Sequence, residues 1–230
     1  MRAGQRYDRP EPARAHVTIL LATRDGAAHL EPQLDSIAAQ SHRDWSLIVS
    51  DDGSTDATCA MVERFARQQQ NPVTLLQGPG RGSAENFLFL MRQWAALAPP
   101  GAWMAFADQD DVWLADKIAR AVARLAPLPA GSPALYCSRS WVCDTGLANR
   151  RLSAPRPRAP GFSNALVQNI AAGNTIVLPR PPPGWPLRQR RRPGRWWSMT
   201  GGFISSSPAA AARCCMMTGR GCCIGSIPAT

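Results

Sequence analysis

The residues of this sequence best suited to chemistry are aspartates gathered in two short stretches. Asp108-Gln109-Asp110-Asp111 places three carboxylates within four positions, and Asp51-Asp52-Gly53-Ser54-Thr55-Asp56 opens on two more. Like charges this close repel one another, which is tolerable in solvent or beside a cation. Hard oxygen ligands in this number suit Mg²⁺ or Mn²⁺. A carboxylate can instead accept hydrogen bonds from a nucleobase imide or from ribose hydroxyls. The competing reading is an acidic turn before a helix, with Asp111 or Asp116 as its N-cap, and an Asp-Gly-Ser helix-capping turn.

The elements that must position the two clusters favour a site. Trp103 to Ala107 is an apolar run that reads as a buried strand, and Trp45 to Ser50 reads as another. Each cluster follows the C-terminal end of its strand. In a parallel sheet those ends share one rim, where open α/β sheets bind ligands. Two further strands are expected, Val17 to Ala22 and Val73 to Leu76. Helical spacing is present over His29 to Gln40, from near Thr55 through Met61, Val62 and Phe65, and in Phe87, Leu90, Met91, Trp94 and Leu97. A last such helix runs from Asp116 to Leu125. Strands alternating with such helices imply βαβ crossovers and a mainly parallel sheet covered on both faces. Beyond Pro133, two short apolar pieces in Ala134 to Cys143, split by Arg139, suggest a small antiparallel addition. Arg150, Arg151, Arg156 and Arg158 follow in a Pro-rich loop that reads as solvated linker. A short helix over 163–170 then leads into Gly173 to Leu178.

Several other function classes find little support. Gly78-Pro79-Gly80-Arg81-Gly82 lacks the Gly-Lys-Ser/Thr ending of a P-loop, and the chain has one lysine, Lys117. The Gly-x-Gly-x-x-Gly order of a dinucleotide fold and the Gly-x-Ser-x-Gly elbow of a hydrolase are both missing. His16, His29 and His42 have no ligand-like spacing, and the adjacent pairs Cys214-Cys215 and Cys222-Cys223 fit zinc spacing poorly. A net charge of +10 over 230 residues would ordinarily suggest nucleic acid. However, residues 181–230 hold seven arginines and no acid, leaving about +3 for the rest. The residues before His16 have no apolar stretch resembling a signal peptide, and no run approaches a membrane span. The expected location is the cytoplasm, with peripheral contact at the cytoplasmic membrane face as an option.

Taken in order, Val17 to Ala22, Asp51 to Asp56 and Asp108-Gln109-Asp110-Asp111-Val112-Trp113 resemble the family 2 glycosyltransferases of GT-A fold. The Asp-Gln-Asp-Asp-x-Trp form is similar to their rhamnosyltransferase-like branch. The likeness runs from His16 to about Arg180. It implies a nucleotide-sugar donor, a divalent metal, Mg²⁺ or Mn²⁺, and a glycan or lipid-linked acceptor. It also implies roles by position: Thr23 beside the base, Asp52 on the nucleobase, Asp108 near the ribose or metal, Asp110 on the metal and Asp111 supporting the donor. Asn86-Phe87 and Gly173-Asn174-Thr175 resemble family segments near donor and acceptor. The implied reaction is a single displacement at the anomeric carbon, with a carboxylate base taking the acceptor proton. A two-carboxylate glycosidase is the rival enzyme reading. A non-catalytic nucleotide-sugar binder and an Arg-rich nucleic-acid binder are the alternatives from other classes.

The family pattern then expects a base within a His-Asp-Trp-Trp-like segment, and this sequence has none. The expected organisation is a disordered arm over 1–15, a C-terminally incomplete family domain over 16–180, and an Arg/Pro/Cys-rich, disordered tail over 181–230. A low-complexity linker is one explanation of the tail, and a shifted reading frame beginning near Leu178 to Pro183 is the preferred hypothesis. Joining each codon's third base to the next two, the genetic code forces Asp from Met199-Thr200, Asp-Asp from Met216-Met217-Thr218 and Leu from Cys222-Cys223. It permits His-Asp-Trp-Trp across Ser198 to Gly202. Sequencing the gene through this region tests the idea, and early stop codons in that frame would end it.

Overall fold

The computed structural model describes residues 15–129, 134–144, 146–154 and 171–179, with two backbone strands further on. The expected N-terminal arm, Arg156, Arg158 and the helix expected over 163–170 lie outside the described residues. Four parallel strands form the centre: β1 (Val17–Thr23), β2 (Trp45–Asp51), β3 (Val73–Gln77) and β4 (Trp103–Ala107). β1 pairs with β2 from Val17 opposite Trp45 to Thr23 opposite Asp51. On its other side it pairs with β4 from Val17 opposite Trp103 to Leu21 opposite Ala107. Every residue of β1 is buried, as expected of a strand covered on both faces.

The helices are α1 (Leu30–Ala38), α2 (Thr58–Gln68), α3 (Ser83–Leu97) and α4 (Lys117–Leu125). Alternation along β1 divides the core. Val17, Ile19 and Leu21 pack with Leu34 of α1, Phe65 of α2 and Ile118 of α4, while Leu20 and Ala22 pack with Leu90 and Trp94 of α3. The connectivity explains the division. From β1 to β2 to β3 the chain steps one way across the sheet, so α1 and α2 share a face. α3 then carries it back past β1 to β4 along the opposite face, as right-handed crossovers require. The reversal falls between β1 and β4, and the crevice above that point is where sheets of this kind bind ligands.

Beyond β4 the sheet turns antiparallel. β8 (Val177–Leu178) pairs with β4, β5 (Leu135–Cys137) with β8, and β10 (Cys222–Ile224) with β5. The full order is β10-β5-β8-β4-β1-β2-β3. β6 (Ser140–Cys143) belongs to a second sheet, between β7 (Arg151–Leu152) and β9 (Cys214–Met217). The break between β5 and β6 falls at Arg139, as expected from the sequence, and its Nε donates to the Ser153 carbonyl at 2.9 Å. The stretch expected as an irregular tail is described at two places only, and both are sheet-edge strands. No described helix is long and apolar enough to cross a membrane.

Three local expectations are sharpened. α2 starts at Thr58 rather than near Thr55, because the Asp56 carboxylate takes the Thr58 amide (2.9 Å) and hydroxyl (2.5 Å). On the face of α3 that carries Leu90, Trp94 and Leu97, the first two are buried while Leu97, at the helix end, is half exposed. Of the two candidate caps for α4, Asp116 takes the N-cap position, its carbonyl accepting from the Arg120 amide, but its side chain makes no capping bond and pairs with Arg120 instead, while Asp111 bonds elsewhere.

Candidate functional site

The β2 end is built around its own two aspartates. Asp51 closes the turn after the strand, accepting from the amides of Gly53 (3.2 Å) and Ser54 (2.8 Å), the Ser54 hydroxyl (2.5 Å) and the Thr23 hydroxyl (3.0 Å). Gly53 sits at φ +90°, which favours glycine. Burial alone would raise the Asp51 pKa, but the bonds from Ser54 and Thr23 together hold it below the ordinary carboxylate value. Asp52 faces the glycine-rich stretch, accepting from the amides of Gly80 (2.7 Å) and Gly82 (2.6 Å). That loop therefore wraps an anion that the chain itself supplies. Its first residue is held as tightly: Gly78 N–H donates to the Asp51 carbonyl at 2.7 Å. A Cβ on Gly78 would lie 2.8 Å from that oxygen, 2.9 Å from Asn86 Oδ1 and 3.0 Å from Asp52 Oδ1. Gly78→Ala is expected to cost about 1–3 kcal/mol of stability by such overpacking, measurable as a lowered thermal midpoint. Asn86 itself bonds Ser50 twice, through its side-chain oxygen (2.5 Å) and nitrogen (2.8 Å), fixing the start of α3 to β2.

The β1 loop is pinned from the β2 side. Asp25 N–H donates to the Ser54 hydroxyl (2.8 Å), the Asp25 carboxylate accepts from the Thr55 amide (2.8 Å), and Gly26 N–H donates to the Thr58 hydroxyl (2.8 Å). From the β4 side it is held by Gln109. The Gln109 carboxamide accepts from Arg24 N–H at 2.8 Å and donates to the Arg24 carbonyl at 3.0 Å.

The β4 end carries Asp108, Gln109 and Asp110 half-buried and Asp111 buried. Burial first, and then repulsion from Asp110, push the Asp108 pKa up to about 6, with Lys117 pulling the other way. Asp111 is raised well above the usual value by burial and by Asp108, opposed by a hydrogen bond from Asn174 and by Lys117. That bond runs from Asn174 Nδ2 to Asp111 Oδ2 at 2.6 Å. Lys117 is buried at the base of α4. Its Nζ donates to the Asn174 carbonyl at 2.8 Å and sits 2.9 Å from the Trp113 ring centroid. Lys117, Asn174 and Asp111 thus bracket the acidic motif to the 3₁₀ turn Gly173–Thr175 that precedes β8.

A carboxylate cluster that binds protons more readily than usual also favours a cation, and its donors are hard oxygens. Among the described residues no group of three His, Cys, Asp or Glu side chains forms a ready-made cage. Mg²⁺ and Mn²⁺ can be held by one or two carboxylates, with the remaining places taken by water and substrate phosphate. The sequence-expected residues therefore lie on the ends of adjacent strands: Thr23 and Asp52 on one flank, Asp108 to Asp111 on the other. Sequence reasoning missed Gln109 and Gly26, and it saw Lys117 only as the single lysine.

Comparison with known proteins bears on the family and the fold. Residues 18–133 match the family described as Glycosyl transferase family 2. The dTDP-rhamnosyl transferase RfbG of Shigella flexneri is 34% identical over 104 residues, 44% of this chain and 35% of that protein. The Escherichia coli UDP-Glc:alpha-D-GlcNAc-diphosphoundecaprenol beta-1,3-glucosyltransferase WfgD is 28% identical over 102 residues, 44% of this chain and 38% of that protein. The chain spans between 31% and 38% of the length of the curated relatives it matches. Among solved structures, a mannosyltransferase from Pyrobaculum calidifontis in complex with GDP-Man and Mn²⁺ superposes with a TM-score of 0.53 at 26% identity, covering 74% of this chain and 46% of that one. TarS residues 1–349 of S. aureus give 0.51 at 20% identity, covering 71% and 46%, which speaks for the fold alone. With its four parallel strands, its paired acidic clusters and a family match across half its length, this chain belongs to glycosyl transferase family 2.

Proposed function

We propose that this chain is the donor-binding part of a glycosyltransferase that takes a sugar, rhamnose being the leading candidate, from a nucleoside diphosphate to a glycan or lipid-linked acceptor. The observation that carries the reading is the convergence of the β1 loop and the acidic motif across the crevice between β1 and β4. In this reading Thr23 and Asp52 flank the nucleobase, Asp108 approaches the ribose or metal, Asp110 holds the metal and Asp111 supports the donor. A bound Mg²⁺ or Mn²⁺ would neutralise charge on the departing diphosphate. The protein's own contribution is a rigid rim, because the loops after β1, β2 and β3 are already cross-linked by hydrogen bonds. Displacement at the anomeric carbon would form the bond to the acceptor oxygen as the bond to the diphosphate breaks. The acceptor's proton needs a base that the family places in the C-terminal segment.

No acidic residue follows Asp144 in this sequence, and that supports a second reading in which the 230-residue chain binds the donor without efficient transfer. Calorimetric titration with UDP-, GDP- and dTDP-sugars, with and without Mn²⁺, tests the donor site. The expected result is binding of one nucleotide class that EDTA abolishes. Binding indifferent to metal and steeply weakened by salt would point instead to an Arg-rich nucleic-acid binder. In a transfer assay the chain should turn over poorly, and robust turnover would refute the loss of the base.

A further inference from the structure

We propose that Gln109 is a positioning residue that sets the spacing between the two halves of the donor site, and that Gly26 is glycine so that Gln109 can do so. The inference rests on reading this rim as the donor site. Gln109 lies inside the acidic motif, and its carboxamide pairs with both backbone polar groups of Arg24, 85 positions away. Those two bonds fix which way the amide faces, because the oxygen must meet an N–H and the nitrogen a carbonyl. They cross the sheet where the chain direction reverses, joining the β1 loop to the residues expected to hold the metal. On its other side that loop is tied to Ser54, Thr55 and Thr58. Gln109 is thus, among the described residues, a cross-link between the base-side loops and the acidic motif, and it constrains the separation that a nucleoside diphosphate would bridge.

Gly26 supplies the second observation. A Cβ there would lie 2.4 Å from Gln109 Oε1 and 2.6 Å from Cδ. Gly26 is not among the positive-φ glycines, so alanine is compatible with its backbone. The obstructed atoms are the end of a flexible side chain. The easiest relief for Gly26→Ala is for Gln109 to swing away, which breaks both bonds to Arg24 and leaves the fold in place.

The test combines Gln109→Ala, Gln109→Met, Gly26→Ala and the Gly26→Ala/Gln109→Ala pair in the full chain. Binding of UDP, GDP and dTDP is measured with Mn²⁺, and exchange of the Arg24 amide proton is followed separately. Each single variant should weaken nucleotide binding roughly tenfold, because a site held 1 Å too loosely loses most of its preorganisation. Arg24 exchange should quicken roughly 5–10-fold, the loss of about one hydrogen bond. In the pair, Gly26→Ala should add almost nothing to Gln109→Ala, since its effect acts through the same contact. The inference is overturned if the Gln109 variants bind within twofold of the unaltered chain, or if Gly26→Ala weakens binding as much without Gln109 as with it. Failure of the unaltered chain to bind any of the three nucleotides would overturn the donor-site reading and the inference with it. That outcome stays distinct, because faster Arg24 exchange in Gln109→Ala would still report the contact itself.

Discussion

Asp110→Asn is expected to weaken Mn²⁺-dependent nucleotide binding by about 100-fold, the upper end of what loss of a ligand's outer-shell partner alone costs, while leaving the metal-free protein at least as stable as before. The two effects have one cause. Asp108, Asp110 and Asp111 crowd like charges at the end of β4, and repulsion from Asp110 contributes to the raised affinity of Asp108 and Asp111 for protons. Removing one charge relieves the other two and takes away a ligand at the same time, a trade common at functional sites. Thermal unfolding with and without Mn²⁺ separates the contributions. The unaltered protein should gain in Tm on adding metal and nucleotide, and Asp110→Asn should not. Binding by the unaltered protein should also fall as pH drops through about 6, where Asp108 takes up a proton that competes with the metal. The sign for stability is opposite. A carboxylate whose folded pKa is raised costs stability most above that pKa, and the cost fades as pH falls towards its unfolded value near 4. The metal-free protein should therefore be relieved, with respect to this group, between pH 6 and pH 4. If Asp110→Asn retained metal-dependent binding, the assignment of Asp110 would be wrong.

Lys117→Ala is expected to cost about 3–5 kcal/mol, on the order of 10 °C in Tm. The ammonium is buried and faces Asp108 and Asp111 from inside the protein. Removing it leaves two carboxylates without their internal counter-charge, the Asn174 carbonyl without that donor, and a void beside Trp113. Lys117→Met fills the void but not the charge, so it should recover part of the loss. Arginine is not a conservative control here, because its planar fork needs more room and more acceptors than an ammonium. The penalty should shrink as pH falls through about 6, where Asp108 becomes neutral and no longer needs the lysine. Denaturant unfolding of both variants at pH 7.5 and pH 5 measures the difference. Equal losses at both values would mean that Lys117 acts by packing alone.

Both acidic clusters and all four central strands were legible in the sequence because their causes are local. Apolar runs make buried strands, helical spacing makes α1 to α4, and an aspartate pair after each of two strands must come to the same rim of a parallel sheet. The cross-links between loops were not legible, because their partners lie far apart along the chain. Nothing near Gln109 indicates that its amide will lie against Arg24, and nothing near Gly26 indicates what a side chain there would strike. Asp52 shows a subtler limit. Its residue type announced an acceptor, but only the structure shows that Gly80 and Gly82 are among its donors. Helix ends were misplaced by a few residues for a similar reason. At α2 the Asp56 side chain, not propensity, decides where the first turn can begin.

The burial of Lys117 has a practical consequence for handling the protein. It is the only lysine in the sequence, and its amine lies inside the fold, bonded to Asn174. Amine-reactive esters should therefore leave Lys117 of the folded chain largely unmodified. Reaction at Lys117, read by peptide mass, then becomes a clock for global opening of the domain.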